Sequence, residues 1–94
     1  MPDKIIINTA SAVPFGDLYS YFVVNGETAN FQCSGLGASE VVQIYNDDGE
    51  PDYENDNKIE FTATNKNIPV RGPKKVYFVK AATAGVVKVK KIEL

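Results

Sequence analysis

The densest chemistry in this chain is a run of carboxylates, Asp47, Asp48, Glu50, Asp52, Glu54 and Asp56, inside the stretch NDDGEPDYENDN from Asn46 to Asn57. Clustered oxygen ligands suit calcium, and the helix-flanked calcium loop takes acids at alternate positions followed by a glycine at the sharp turn. Asp52, Glu54 and Asp56 supply the alternation, but Asn57 stands where the glycine is needed and the flanks read as strands. The expectation is therefore a solvated, turn-rich loop, too polar to bury, without a bound metal. Paired acids also serve glycoside hydrolysis, but only when one of them is desolvated in a cleft. The chain has no histidine, so the usual general base and the commonest metal ligand are missing. Cys33 is the single cysteine, which rules out an internal disulfide, and its apolar neighbours predict a buried structural thiol. Ser34-Gly35-Leu36-Gly37 has backbone N–H groups that could cradle an anion, yet it lacks the spacing of a phosphate-binding loop and reads as a turn. Together these features predict a protein that is not an enzyme, with no catalytic residue and no cofactor.

Charge is divided along the chain. From Met1 to Asn57 there are ten acidic residues and one basic; from Lys58 to Leu94 there are nine basic and two acidic, for a net charge of −2. Such a division suggests either an interaction surface or two halves that neutralise each other on neighbouring strands. Ninety-four residues fit one domain, expected to span 1–94. No apolar run is long enough for a membrane span, and the N-terminus lacks the pattern of a secretory signal, so the chain is expected to stay where it is made.

The elements that must position these residues are strands. Residues 4–8 (KIIIN) read as a first strand, or as part of an N-terminal arm over 1–10 that pairs with something. Leu18–Val24 and Glu27–Cys33 flank Asn25-Gly26, the strongest short hairpin signal. A two-residue loop would set Phe22 opposite Ala29 and gather Leu18, Phe22, Val24, Ala29, Phe31 and Cys33 on one face. Glu40–Tyr45 forms a strand with Val42 and Ile44 inward, and Lys58–Ala63 alternates with Ile59, Phe61 and Ala63 on one face. Pro69, Gly72 and Pro73 should interrupt pairing. Lys74–Leu94 reads as a second hairpin closed by Thr83-Ala84-Gly85, with Val79, Ala81, Val87 and Val89 inward and Phe78, Lys80, Lys88 and Lys90 outward. That register places Lys80 opposite Lys88. The spacing predicts an all-β fold: a small antiparallel β-sandwich, jelly-roll or immunoglobulin-like, of about seven short strands.

The expected lysine face could meet nucleic acid, but the pI is near 5.0 and few aromatics interleave with the lysines. Protection of a strand edge, or contact with an acidic protein surface such as the 47–56 loop of a neighbouring copy, suits it better. Tyr19, Tyr21, Tyr45 and Tyr53 could line a sugar-binding face, although tyrosines are also plain strand formers.

Arg71-Gly72-Pro73, Val76–Lys80, Ala82–Gly85 and Val86–Val89, together with the opening IINTASAVPFG, resemble small tailed-bacteriophage proteins encoded near the capsid genes. The resemblance covers about a third of the chain, and the acidic loop matches nothing in it. It implies a head decoration, or cement, protein: a minor structural protein of the virion that binds and reinforces the assembled shell, made in the host cytoplasm. The implied partner is a major capsid protein, and the implied state is a homo-oligomer, with a trimer favoured. Neither a membrane nor nucleic acid is expected as a partner. Expected contact residues are Ile5, Ile6, Ile7, Asp47, Asp48, Asp52, Phe78, Lys80, Lys88 and Lys90. The alternatives are an adhesion or carbohydrate-binding module of a phage tail or fibre, and a small nucleic-acid-binding β-barrel.

Overall fold

The structure, a computed structural model, describes residues 4–54 and 57–92, with the backbone alone at Glu54. Ten strands follow one another: β1 (Lys4–Thr9), β2 (Ser20–Val23), β3 (Thr28–Ser34), β4 (Val42–Tyr45), β5 (Tyr53–Glu54), β6 (Asn57–Lys58), β7 (Glu60–Phe61), β8 (Asn67–Arg71), β9 (Lys74–Lys80) and β10 (Val87–Ile92). One 3₁₀ turn, Asp17–Tyr19, precedes β2. Eight of the strands form two antiparallel four-stranded sheets, sheet I in the order β1-β10-β3-β8 and sheet II in the order β2-β9-β4-β7. The remaining pair, β5 and β6, makes a small ribbon.

Strands that are far apart in sequence pair with one another: β1 with β10, β2 with β9, β3 with β8 and β4 with β7. These pairs nest, so the chain is one long hairpin rolled into two layers, the arrangement of a jelly roll. The expected β-sandwich is present, and its strand order is the jelly-roll one. The KIIIN segment is a true sheet strand, β1, with a bulge between Ile5 and Ile7.

Neither predicted local hairpin forms. The turn at Asn25-Gly26 is real, with Glu27 N–H donating to the Val24 carbonyl at 3.1 Å. It carries the chain from sheet II to sheet I instead of joining two neighbours in one sheet. The connection around Thr83–Gly85 likewise takes the chain from β9 in sheet II to β10 in sheet I. In both cases one strand keeps its expected inward face and the other is reversed. Ala29, Phe31 and Cys33 of β3 and Val87 and Val89 of β10 are buried as expected. On β2, however, Val23 is buried while Phe22, Val24 and Leu18 are exposed; on β9, Val76, Phe78 and Lys80 point inward. Lys80 therefore faces Val42, not Lys88.

The physical cause is that β9 is covered on both sides. Its inward Phe78 meets Phe31 at 5.2 Å and Phe61 at 6.4 Å between ring centroids. Its outward Tyr77 lies under Phe15, stacked at 4.4 Å, and is almost as buried. A strand covered on both faces reads as an unbroken apolar run, and alternation then cannot tell its two faces apart.

Pro69 does not interrupt pairing. It lies within β8, opposite Asn30, on the outer edge of sheet I, where a missing N–H costs no ladder bond. Ile68 and Val70 on either side of it are buried.

Phe78→Ala should cost about 3–5 kcal/mol, as truncation of a fully buried aromatic does. Phe22→Ala should stay within about 0.5 kcal/mol, as at other exposed sites. Urea denaturation of the two variants checks the assignment, because the hairpin register predicts the reverse order.

Candidate functional site

The outer face of sheet I is built by the register of its four strands. Cross-strand partners share a face, so the pairings give successive rows. Ile5, Lys90, Gln32 and Asn67 form one row, and Asn8, Lys88 and Ser34 the next. On the other side of the first row lie Ile92, Asn30 and Pro69, then Thr28 with Arg71. This face combines cations, carboxamides and hydroxyls. Among the described residues of these rows there is no carboxylate. Lys88 and Arg71 are exposed, and Lys90 is half-buried.

Elsewhere the charges pair within the fold. Lys74 meets Asp52 at 2.6 Å, Lys75 meets Asp17 at 3.0 Å and Lys91 meets Glu27 at 3.2 Å. Each of these pairs joins a base from the second half of the chain to an acid from the first. Mutual neutralisation thus accounts for part of the charge division, while Lys88, Lys90 and Arg71 form the cationic character of the outer face.

The ten expected contact residues do not form one surface. Ile7, Asp52, Phe78 and Lys80 are buried within the chain. Ile6 lies at the β1 bulge and packs partly against the core. Ile5, Lys88 and Lys90 come together on the outer face of sheet I. Asp47 and Asp48 are exposed in the connection between β4 and β7, where the Asp47 carboxylate accepts the Tyr77 hydroxyl at 3.0 Å. Asn8, Asn30, Gln32, Asn67 and Arg71 were absent from the expected contacts. Their only sequence signal was the polar phase of β3, visible as Thr28, Asn30 and Gln32.

The acidic stretch is less solvated than its composition suggests. Asp52 is only 3% exposed, its carboxylate held by Lys74. Its backbone N–H donates to Ile44 and its carbonyl accepts from Ile59, both at 2.8 Å. A buried carboxylate persists because a cation and backbone bonds replace its water. The Asp56 residue and the Glu54 carboxylate lie outside the described residues. Among the described residues no group of three or more His, Cys, Asp and Glu side chains could hold a metal ion.

At one end of the sandwich, the alternation of β9 delivers Lys80 to an inward position with only 4% exposure. Its ammonium donates to the Ala81 carbonyl and the Thr83 hydroxyl, both at 3.1 Å. Burial lowers its pKa, opposed by the nearby Glu40 and Cys33. Glu40 clamps two inter-sheet crossings, accepting from Gly37 N–H at 2.7 Å and Ala84 N–H at 2.9 Å. Those two backbone bonds, that to Ala84 first, hold its pKa below the ordinary carboxylate value. Beside this clamp, Gly35 adopts φ 93°, and a Cβ there would lie 2.2 Å from the Val86 carbonyl oxygen. Cys33 is buried as expected, and burial pushes its thiol up to about 11, with Lys80 opposing weakly. A thiol so shifted is not a nucleophile at neutral pH. The tyrosines do not form a row of open rings: Tyr45 lies against Phe15 and Tyr21 against Phe31, whereas Tyr53 is exposed.

Two outcomes follow from the clamp and the lysine. Glu40 is depressed in the folded state, so its contribution is present above the unfolded carboxylate pKa and is lost as pH falls through the folded one. Thermal melts across pH 2–7 should show this acid loss, about pH 4 and below, and Glu40→Gln should reduce its slope. Lys80→Met should leave the denaturation midpoint unchanged or raise it, because a buried charge is exchanged for a chain of similar length. No protein-family model, curated protein or solved structure matches this chain.

Proposed function

We propose that this chain is a structural virion protein that binds and reinforces a bacteriophage capsid, docking through the outer face of sheet I onto an acidic surface of the shell. The observation that carries this reading is the composition of that face: Lys88, Lys90 and Arg71 spread among Asn8, Asn30, Gln32 and Asn67, with no carboxylate among the described residues of the rows. Such a face repels cations, attracts acidic protein and offers amide donors and acceptors for register. Charge of this kind gives specificity and orientation more than affinity. The resemblance across residues 71–89 supports a phage shell as the partner. Flatness and rigidity fit the role, because the face belongs to four hydrogen-bonded strands whose opposite side is the core.

The amide groups favour a second reading. Carboxamides placed in rows can hydrogen-bond sugar hydroxyls, so the same face suits a carbohydrate-binding module of a tail or fibre. A glycan array distinguishes the two, since a capsid-binding protein gives no glycan signal.

The direct test mixes purified protein with capsids that lack it and sediments them. The wild type should pellet with the shells, less so as salt rises. The double variant R71E/K88E should lose at least about 90% of the bound protein while keeping its fold, as both side chains are exposed. Wild-type protein left in the supernatant, or undiminished binding by the double variant, would overturn the proposal.

A further inference from the structure

The four edges of the two sheets are not alike. An edge strand offers unpaired backbone N–H and C=O groups, and proteins blunt such edges with proline, charge, bulges or very short strands. The outer strands of sheet I are both blunted. β8 contains Pro69 and ends in the exposed Arg71; β1 begins at Lys4 and is bulged between Ile5 and Ile7. In sheet II, β7 is two residues long and includes Glu60. The remaining edge is β2. It has four residues, SYFV, with no proline and no charged side chain, and its register against β9 is regular from Ser20 to Val23.

The surroundings of β2 are apolar. Phe22 on its outer face is 56% exposed, Val24 follows it into solvent, and Leu18 on the preceding 3₁₀ turn is 89% exposed. Phe15 and Leu18 line a shallow apolar groove beside the strand. The nearest charges, Lys75 opposite Phe22 and its partner Asp17, neutralise each other at 3.0 Å.

We propose that β2 is the contact strand between two copies of this chain, paired antiparallel with its own copy about a two-fold axis. The two sheets II then become one continuous sheet of eight strands. A free edge accepts only an extended backbone, and the choice of occupant follows from charge. A strand without charged side chains meets its own image with no like-charge penalty. On β1 and β8, a self-pairing would bring Lys4 or Arg71 towards its own copy. The two-fold also uses every apolar anchor twice, so Leu18, Phe22 and Val24 are covered together with their images. This contact is on the opposite sheet from the proposed shell-binding face, so a failure of either proposal leaves the other standing.

Sedimentation equilibrium of the full chain is the test. The wild type should be dimeric at concentrations up to about 1 mM. Phe22→Lys, and separately Leu18→Asp, should raise the dissociation constant at least about tenfold with unchanged far-UV circular dichroism. Ile5→Lys, on the other lateral strand, should leave the dimer intact. A wild type that is monomeric throughout, a trimer, a dimer that survives Phe22→Lys, or one that is lost in Ile5→Lys would each overturn the proposal.

Discussion

A strand that leaves one layer of a sandwich and enters the other must present its apolar side chains back towards the layer it left. This constraint acts at both tight connections of this protein, after Val23 and after Lys80, and it sets the phase of the strands they join. It puts Val23 and Ala29 inward across the first crossing, and Lys80 and Val87 inward across the second. The core then closes around Phe31, Phe61 and Phe78, which meet one another edge-on and stacked between the two sheets. Everything outward is the complement of that set, including the amide and cation rows of sheet I and the apolar edge of sheet II.

The same phase produces the two buried lysines. Lys80 on β9 and Lys91 on β10 each occupy an inward position near a strand end, where a long side chain can carry its ammonium out to loop acceptors. Lys80 reaches Ala81 and Thr83, and Lys91 reaches Glu27. Glu27 also accepts the Tyr21 hydroxyl and the Val24 N–H, so one carboxylate gathers a strand, a turn and a neighbouring lysine. The two lysines thus plug the sandwich with charge where the hydrophobic layer runs out, and every partner is supplied by a connection between sheets.

Much of this was legible in the sequence. The strands were visible, as were the turn at Asn25-Gly26, the inward phase of β3 and β10, the inward Val42 and Ile44, and the buried Cys33. The phases of β2 and β9 were not. Tyr21-Phe22-Val23-Val24 and Val76-Tyr77-Phe78-Val79 are apolar in both phases, so the choice fell to the turn, and a tight turn was taken to join neighbours in one sheet. Lysine then misled, because Lys80 was taken to mark the solvent side. The burial of Asp52 was hidden for a related reason: its partner Lys74 is far along the chain and enters only through the pairing of β9 with β4. The outer face of sheet I was half visible, since β3 showed its polar phase, but the rows needed the order of β1, β10, β3 and β8.

Nesting of the strand pairs has a consequence for how the chain acquires its shape. The innermost pair, β4 with β7, encloses only the short connection that contains β5 and β6, whereas β1 with β10 encloses nearly the whole chain. Ordering a longer loop costs more entropy, so the acidic connection is the least costly place to begin, and each later pair is shortened by the one inside it. Assembly therefore runs from the middle of the sequence outwards, with Asp52 and its backbone bonds to Ile44 and Ile59 forming the first closed corner and the two termini coming together last. A chain built of such distant pairings belongs among the slow folders, and the segment richest in negative charge is the one that sets it going.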